Sequence, residues 1–142
     1  MKIAIAADHA GYELKAALVQ ELGNLAHVVL DLGTTRADKA VDYGDYGRAC
    51  ALAVTRGEAE MGVVVCGSGI GISIAANRVA GARCALVYDN LTARLARRHN
   101  NANMIAFGGR LIGVETARDA LRAFLETAFE GGRHEARVQK LG

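Results

Sequence analysis

Residues 61–77 read MGVVVCGSGIGISIAAN: an apolar run, a thiol, a glycine-rich turn, then a second apolar run. Met61–Cys66 has no charged or hydroxyl side chain, so it describes a strand buried on both faces. Such a strand belongs in a parallel sheet covered by helices. The same alternation extends outward from it. Toward the N-terminus, Lys2–Ala7 (KIAIAA) reads as the first strand. Leu14, Ala17, Leu18, Leu22 and Leu25 then recur on one helical face. His27–Leu32 reads as the second strand, and Thr34 to Tyr43 as a polar loop. Asp45 is placed to cap a helix carrying Ala49, Leu52 and Ala53 and ending near Gly57. Toward the C-terminus, Arg83–Tyr88 and Met104–Phe107 read as strands four and five. A helix starting at Asn90 or Thr92 and running through Arg98 lies between them. Val114–Phe129 reads as the last long helix, and Gly131-Gly132 separates it from a basic tail, Arg133–Lys140. The pattern predicts an α/β fold: one doubly wound domain over residues 1–142, with a five-stranded parallel sheet and helices on both faces.

Composition excludes several classes. Apolar residues are 51% and charged residues 23%, a globular balance and not a disordered one. A net charge of +2 gives no footprint for nucleic acid or an anionic membrane. Every apolar run falls short of the roughly 20 residues a membrane span requires. Met1-Lys2 leads straight into a strand, so no signal peptide is expected. The three cysteines, Cys50, Cys66 and Cys84, form neither CxxC pairs nor an even set. That pattern argues against a disulfide framework and for a reducing compartment, the cytoplasm. Proline is absent, so the 17 glycines carry most of the turning.

In doubly wound sheets ligands bind beyond the carboxyl ends of the strands. That rule gathers Asp8 and His9, Asp42 and Tyr43, Cys66 to Gly71, Asp89 and Asn90, and Arg110. The sharpest member is Cys66-Gly67-Ser68-Gly69-Ile70-Gly71. A helix N-terminus just after the thiol offers free N–H groups and a partial positive charge, which favours the thiolate. The same amides suit a developing oxyanion. The spacing is G-x-G-x-G, a poor fit to the dinucleotide G-x-G-x-x-G. No Lys follows, so a Walker loop fails. Ile72 stands where a cysteine phosphatase needs Arg. A thiolate that does not attack phosphorus is left to move a proton.

His99 closes the Leu91–Arg98 helix before Asn100-Asn101, residues that accept a left-handed C-terminal conformation. A helix C-terminus favours imidazolium, which suits a general acid. Arg133 and Arg137 in GGRHEAR are spaced i, i+4 and could clamp a phosphate from one helix face. His27 and His134 read as background. No H-x-H, H-E-x-x-H or paired Asp cluster appears, so no metal and no cofactor is expected. Thiolate, amide turn, acidic His and Arg pair describe aldose–ketose isomerisation of a phosphorylated sugar through an enediolate.

Asp8-His9-Ala10-Gly11, Asp42-Tyr43, CGSGIGISIAANR (Cys66–Arg78), RRHNNANMIAFGGRLIG (Arg97–Gly113) and FEGGRHEARV (Phe129–Val138) occur in order along nearly the whole chain. Together they resemble the family of type B ribose-5-phosphate isomerases and galactose-6-phosphate isomerases. The resemblance implies a Rossmann-like domain working as a homodimer or homotetramer, with each site built from two subunits. The tail, residues 131–142, would reach the partner. It implies interconversion of ribose 5-phosphate and ribulose 5-phosphate in the pentose phosphate pathway. Cys66 then matches the isomerisation base and His99 the ring-opening residue, with Ser68 grouped beside them as catalytic. Asp8, His9 and Asn100 match substrate-binding positions, as does Tyr43. Gly67, Ser68, Gly69, Ile70 and Gly71 match the anion-holding loop, and Arg110, Arg133 and Arg137 the substrate- and phosphate-binding arginines. Ser68 stands where many relatives have Thr, and Gly44 where a Pro is common. Ile72 stands where another branch uses Glu, which puts this chain with the cysteine branch. Two alternatives stand beside this reading: isomerisation of allose 6-phosphate, galactose 6-phosphate or a tetrose phosphate, and a non-catalytic phosphosugar-binding module.

Overall fold

The computed structural model describes residues 1–142. Strands β1 (Lys2–Ala7), β2 (Val28–Asp31), β3 (Met61–Cys66), β4 (Cys84–Leu86) and β5 (Met104–Gly108) form one sheet in the order β2-β1-β3-β5-β4. Every pairing is parallel. Helices α1 (Tyr12–Asn24), α2 (Tyr43–Thr55), α3 (Ile70–Asn77), α4 (Asn90–Asn100) and α5 (Val114–Glu126) follow the strands in turn. A 3-10 turn (Gly132–His134) and α6 (Glu135–Gln139) end the chain.

Successive strand residues point to opposite faces, and the core divides accordingly. Ile3, Ile5, Val63, Val65, Ile105 and Phe107 pack with residues of α1, α4 and α5 on one face. Ala4, Ala6, Val64, Cys66, Met104 and Ala106 pack with α2 and α3 on the other. The second face is built largely from alanine, which lets its helices come close to the sheet. Gly47 of α2 carries this furthest: a Cβ there would lie 2.8 Å from the Ile72 carbonyl oxygen.

This packing corrects the sequence expectation for α2. The helix starts at Tyr43 with Asp42 as its extended N-cap residue, and Asp45 is an exposed residue of the first turn. Bringing Gly47 and Cys50 against α3 turns Ala49 outward, so the buried face is Gly47, Cys50, Ala51, Ala53 and Val54. Helix α3 begins at Ile70, at the glycine turn itself, and α4 continues through His99 to Asn100. Asn101 alone takes the left-handed cap, at φ 46°. Helix α5 stops at Glu126, three residues short of the expected end.

Candidate active site

From β1 the chain moves to β2 on one side, then crosses back to β3 on the other. The carboxyl ends of β1 and β3 therefore flank the crevice at the topological switch point. A cavity of about 630 Å³ opens there, lined by Asp8, His9, Tyr43, Cys66, Gly67, Ser68, Ile70, Gly71 and Arg110, with Ala10, Ile74 and Leu111. Strand register sets the arrangement. Ala7 is level with Val65, and Cys66 with Gly108, so the loops after β1, β3 and β5 leave the sheet side by side.

The glycine turn is held in place from several directions. Gly69 donates its N–H to Cys66 Sγ at 3.2 Å, so negative charge on the sulfur has a donor beside it. Ile70 N–H donates to Ser68 Oγ at 3.2 Å, which leaves the Ser68 hydroxyl proton free. The remaining first-turn amides of α3, Gly71 among them, have no acceptor inside the helix. Gly109 N–H donates to the Cys66 carbonyl and Arg110 N–H to that of Gly67, bracing the turn against the β5 loop. Gly69 adopts φ +78°, and a Cβ there would lie 2.6 Å from Leu86 Cδ1 and 2.8 Å from the Phe107 carbonyl carbon. Gly69→Ala should therefore lower stability by about 1–3 kcal/mol and displace the amide that serves Cys66. Thermal unfolding beside kcat checks this; an unchanged Tm with full activity would contradict it.

Asp8 is buried, and its Oδ1 accepts the Gly11 N–H at 3.0 Å. His9 Nδ1 accepts the Val41 N–H at 3.2 Å. An accepting Nδ1 carries no proton, so the proton sits on Nε2, ready to donate to a ligand oxygen. Tyr43 lies against Gly71; a Cβ on that glycine would come within 2.6 Å of Tyr43 Cζ. Cys50 and Cys84 are chemically different from Cys66. Burial pushes the Cys50 thiol up to about 12 and raises that of Cys84 as well. Neither accepts a backbone N–H.

Other expected site residues stand elsewhere in the same chain. Helix α4 runs back from the carboxyl edge, so His99 in its last turn lies near the start of β5. Cys66 is level with the end of β5. Five residues of strand separate those two edges, about 16 Å at 3.3 Å per residue. Helix α5 returns to the same amino edge and brings the tail with it: Glu130 N–H donates to the Arg98 carbonyl at 3.0 Å. His99, Arg133 and Arg137 do not line the Cys66 cavity. Asn100 lines a separate cavity of about 380 Å³ beside the edge strand β4, with Asn77, Arg83 and Leu141. The two arginines do not share one α-helix, because Gly131 and Gly132 take φ +68° and +55° and wind Arg133 into the 3-10 turn. Asp89 also leaves the site; it caps α4, accepting the Thr92 N–H at 2.8 Å.

Two features escaped the sequence reading. Ile74 lies one turn beyond Ile70, on the exposed face of α3, a spacing visible in the sequence but read as ordinary helix. His134 carries no signal in the sequence that sets it apart from background. It is buried and stacks on His99, with ring centroids 4.4 Å apart and planes 16° from parallel. No local spacing joins residues 99 and 134.

A thiol beside backbone amides, at the switch point of a doubly wound sheet, is the site of an enzyme that can move a proton and hold a developing oxyanion. The profile of the ribose/galactose isomerase family matches residues 3–141, and the chain belongs to that family. It is 42% identical over 140 residues to ribose-5-phosphate isomerase B of Escherichia coli, covering 99% of this chain and 93% of that protein. Ribose-5-phosphate isomerase B of Mycobacterium tuberculosis is also 42% identical, over 99% of this chain and 88% of its own length. Among solved structures, ribose-5-phosphate isomerase B of Clostridium thermocellum superposes with a TM-score of 0.98 at 45% identity, covering 100% of this chain and 95% of the other. That of Thermotoga maritima gives 0.96 at 47% identity, over 99% and 96%.

Proposed function

We propose that this chain interconverts ribose 5-phosphate and ribulose 5-phosphate through an enediolate. The observation that carries this reading is Cys66 Sγ, bonded to the Gly69 amide, lining a cavity shared with Asp8, His9, Ser68 and Arg110. The names of the relatives support the same substrate pair.

In this mechanism the Cys66 thiolate takes the C2 proton of the open-chain aldehyde. The electron pair moves onto the C1 oxygen, where the turn amides hold the charge. The Ser68 hydroxyl passes a proton from the C2 oxygen to the C1 oxygen. Cys66 returns its proton to C1, which leaves the ketone at C2. His9 Nε2–H and Asp8 bind sugar hydroxyls, and Tyr43 and Ile70 bound the cavity. Before this, the bond between C1 and the ring oxygen of the furanose breaks: His99 donates a proton to the ring oxygen, the C1 hydroxyl gives up its proton to solvent water, and Asn100 orients the opening sugar. Arg110, Arg133 and Arg137 hold the phosphate, which positions the reacting carbons.

Base and ring-opening acid lie at opposite edges of one sheet, so this chemistry calls for a second copy. The His99 edge of one subunit meets the Cys66 crevice of another. Exposed Ile70, Ile74 and Leu111 on the crevice rim suit cover by that partner. A homodimer is the smallest assembly that does this, and the tail is the segment that crosses. Three free cysteines favour a reducing compartment, the cytoplasm. No helix is long and apolar enough to cross a membrane.

Ribose 5-phosphate followed by NMR in deuterium oxide tests the reading. Ribulose 5-phosphate should accumulate with solvent deuterium at C1. Lack of turnover on this sugar, with turnover on a six-carbon phosphate, would overturn the substrate.

A further inference from the structure

His134 sits at the centre of the amino-edge cluster, and its role is not given by the reaction so far. Its side chain is buried, and its Nε2 makes no hydrogen bond; Glu130 Oε1 lies 3.7 Å away. Its ring lies face to face with His99. Glu130 is itself shared by Arg98 at 3.8 Å and Arg133 at 3.5 Å. The charged groups acting on His134 are therefore Arg133 and Arg137 from the tail, Glu130 before it and His99 from α4. Burial, then the charges of Arg133 and His99, hold its pKa below the ordinary histidine value, with Glu130 opposing them. At neutral pH it is a neutral ring.

The donor atoms of His99, Glu130 and His134 lie within 4.8 Å of one another, which raises the question of a metal. The geometry argues against one. Imidazole lone pairs lie in the ring plane, and two nearly parallel planes 4.4 Å apart do not converge on one ion. The carboxylate is also already matched by guanidinium groups.

A neutral aromatic face against an imidazole does two things. It restricts rotation of the partner ring, and its π face stabilises the partner when that carries a proton. Resting on the reading of His99 as the ring-opening acid, we propose that His134 is a positioning residue. It holds the His99 imidazole in the plane from which it donates to the furanose oxygen.

The test compares His134→Leu, which fills similar space without an aromatic face, with His134→Phe, which restores that face. Both are assayed on ribose 5-phosphate in the full-length enzyme, alone and combined with His99→Asn. His134→Leu should lower kcat about tenfold with KM within about twofold, His134→Phe should recover most of that loss, and neither should cost anything further once His99 is Asn. A Leu variant as fast as wild type, a Phe variant no better than Leu, or an equal loss in the His99→Asn background would each overturn the proposal. So would a rise in KM at unchanged kcat, which would make His134 part of the phosphate site. Should His99→Asn alone turn over ribose 5-phosphate at the wild-type rate, the ring-opening role of His99 fails first, and the proposal with it.

Discussion

Cys66→Ala should reduce isomerisation by about 10³-fold or more, because general base catalysis contributes roughly 10²–10⁴ and no other group in the crevice can replace it. Asp8 is buried with Oδ1 fixed on the Gly11 N–H, and its other oxygen serves a sugar hydroxyl in this reading. His9 already accepts from Val41 on the nitrogen that would take a proton. Cys50 and Cys84 are buried with raised thiols, so no neighbouring sulfur stands in. Binding of ribose 5-phosphate should survive, since the arginines and the turn amides remain. Titration calorimetry on the variant reads that directly. Retained activity within about tenfold would remove Cys66 as the base. Lost binding alongside lost activity would mean that the substitution had collapsed the turn, and unchanged unfolding behaviour separates the two outcomes.

How far the sequence anticipated this site depended on whether the determining contact was local. Strand β3 matches its expected bounds, because Met61–Cys66 is apolar on both faces and glycine ends it. Cys66, the turn and α3 are contiguous, so their relation was legible from residues 66–72 alone. The carboxyl-edge rule brought in Asp8, His9, Tyr43 and Arg110, all of which line the cavity. It failed at Asp89, where a short-range cap satisfied the same carboxylate. The face of α2 was misread at Ala49, because the close approach of Gly47 to Ile72 is a tertiary contact without a sequence period. His134 was missed for a similar reason: the stack with His99 exists only once α4 and the tail return to the same sheet edge. The tail arginines were given helical spacing where two glycines at positive φ produce a 3-10 turn.

The opposite placement of Cys66 and His99 leads to the second large effect. Consider one chain carrying Cys66→Ala and another carrying His99→Asn with Arg137→Ala, each inactive by itself. A site assembled from two copies takes its sulfur from one chain and its imidazole and phosphate arginine from the other. In the mixed dimer, one of the two sites then combines the intact Cys66 of the second chain with the intact His99 and Arg137 of the first. The other site carries every defect. Random pairing makes half of all dimers mixed, so co-refolding equal amounts should restore about a quarter of wild-type activity from two nearly dead parents. The recovered activity should have wild-type KM, since each restored site is complete. If each chain instead built its own site by moving α4 across the sheet, no pairing could repair either defect, and the mixture would stay as inactive as its parts. Because β5 holds the two edges about 16 Å apart and buries Met104 through Phe107 on both faces, such a movement would have to break the centre of the core.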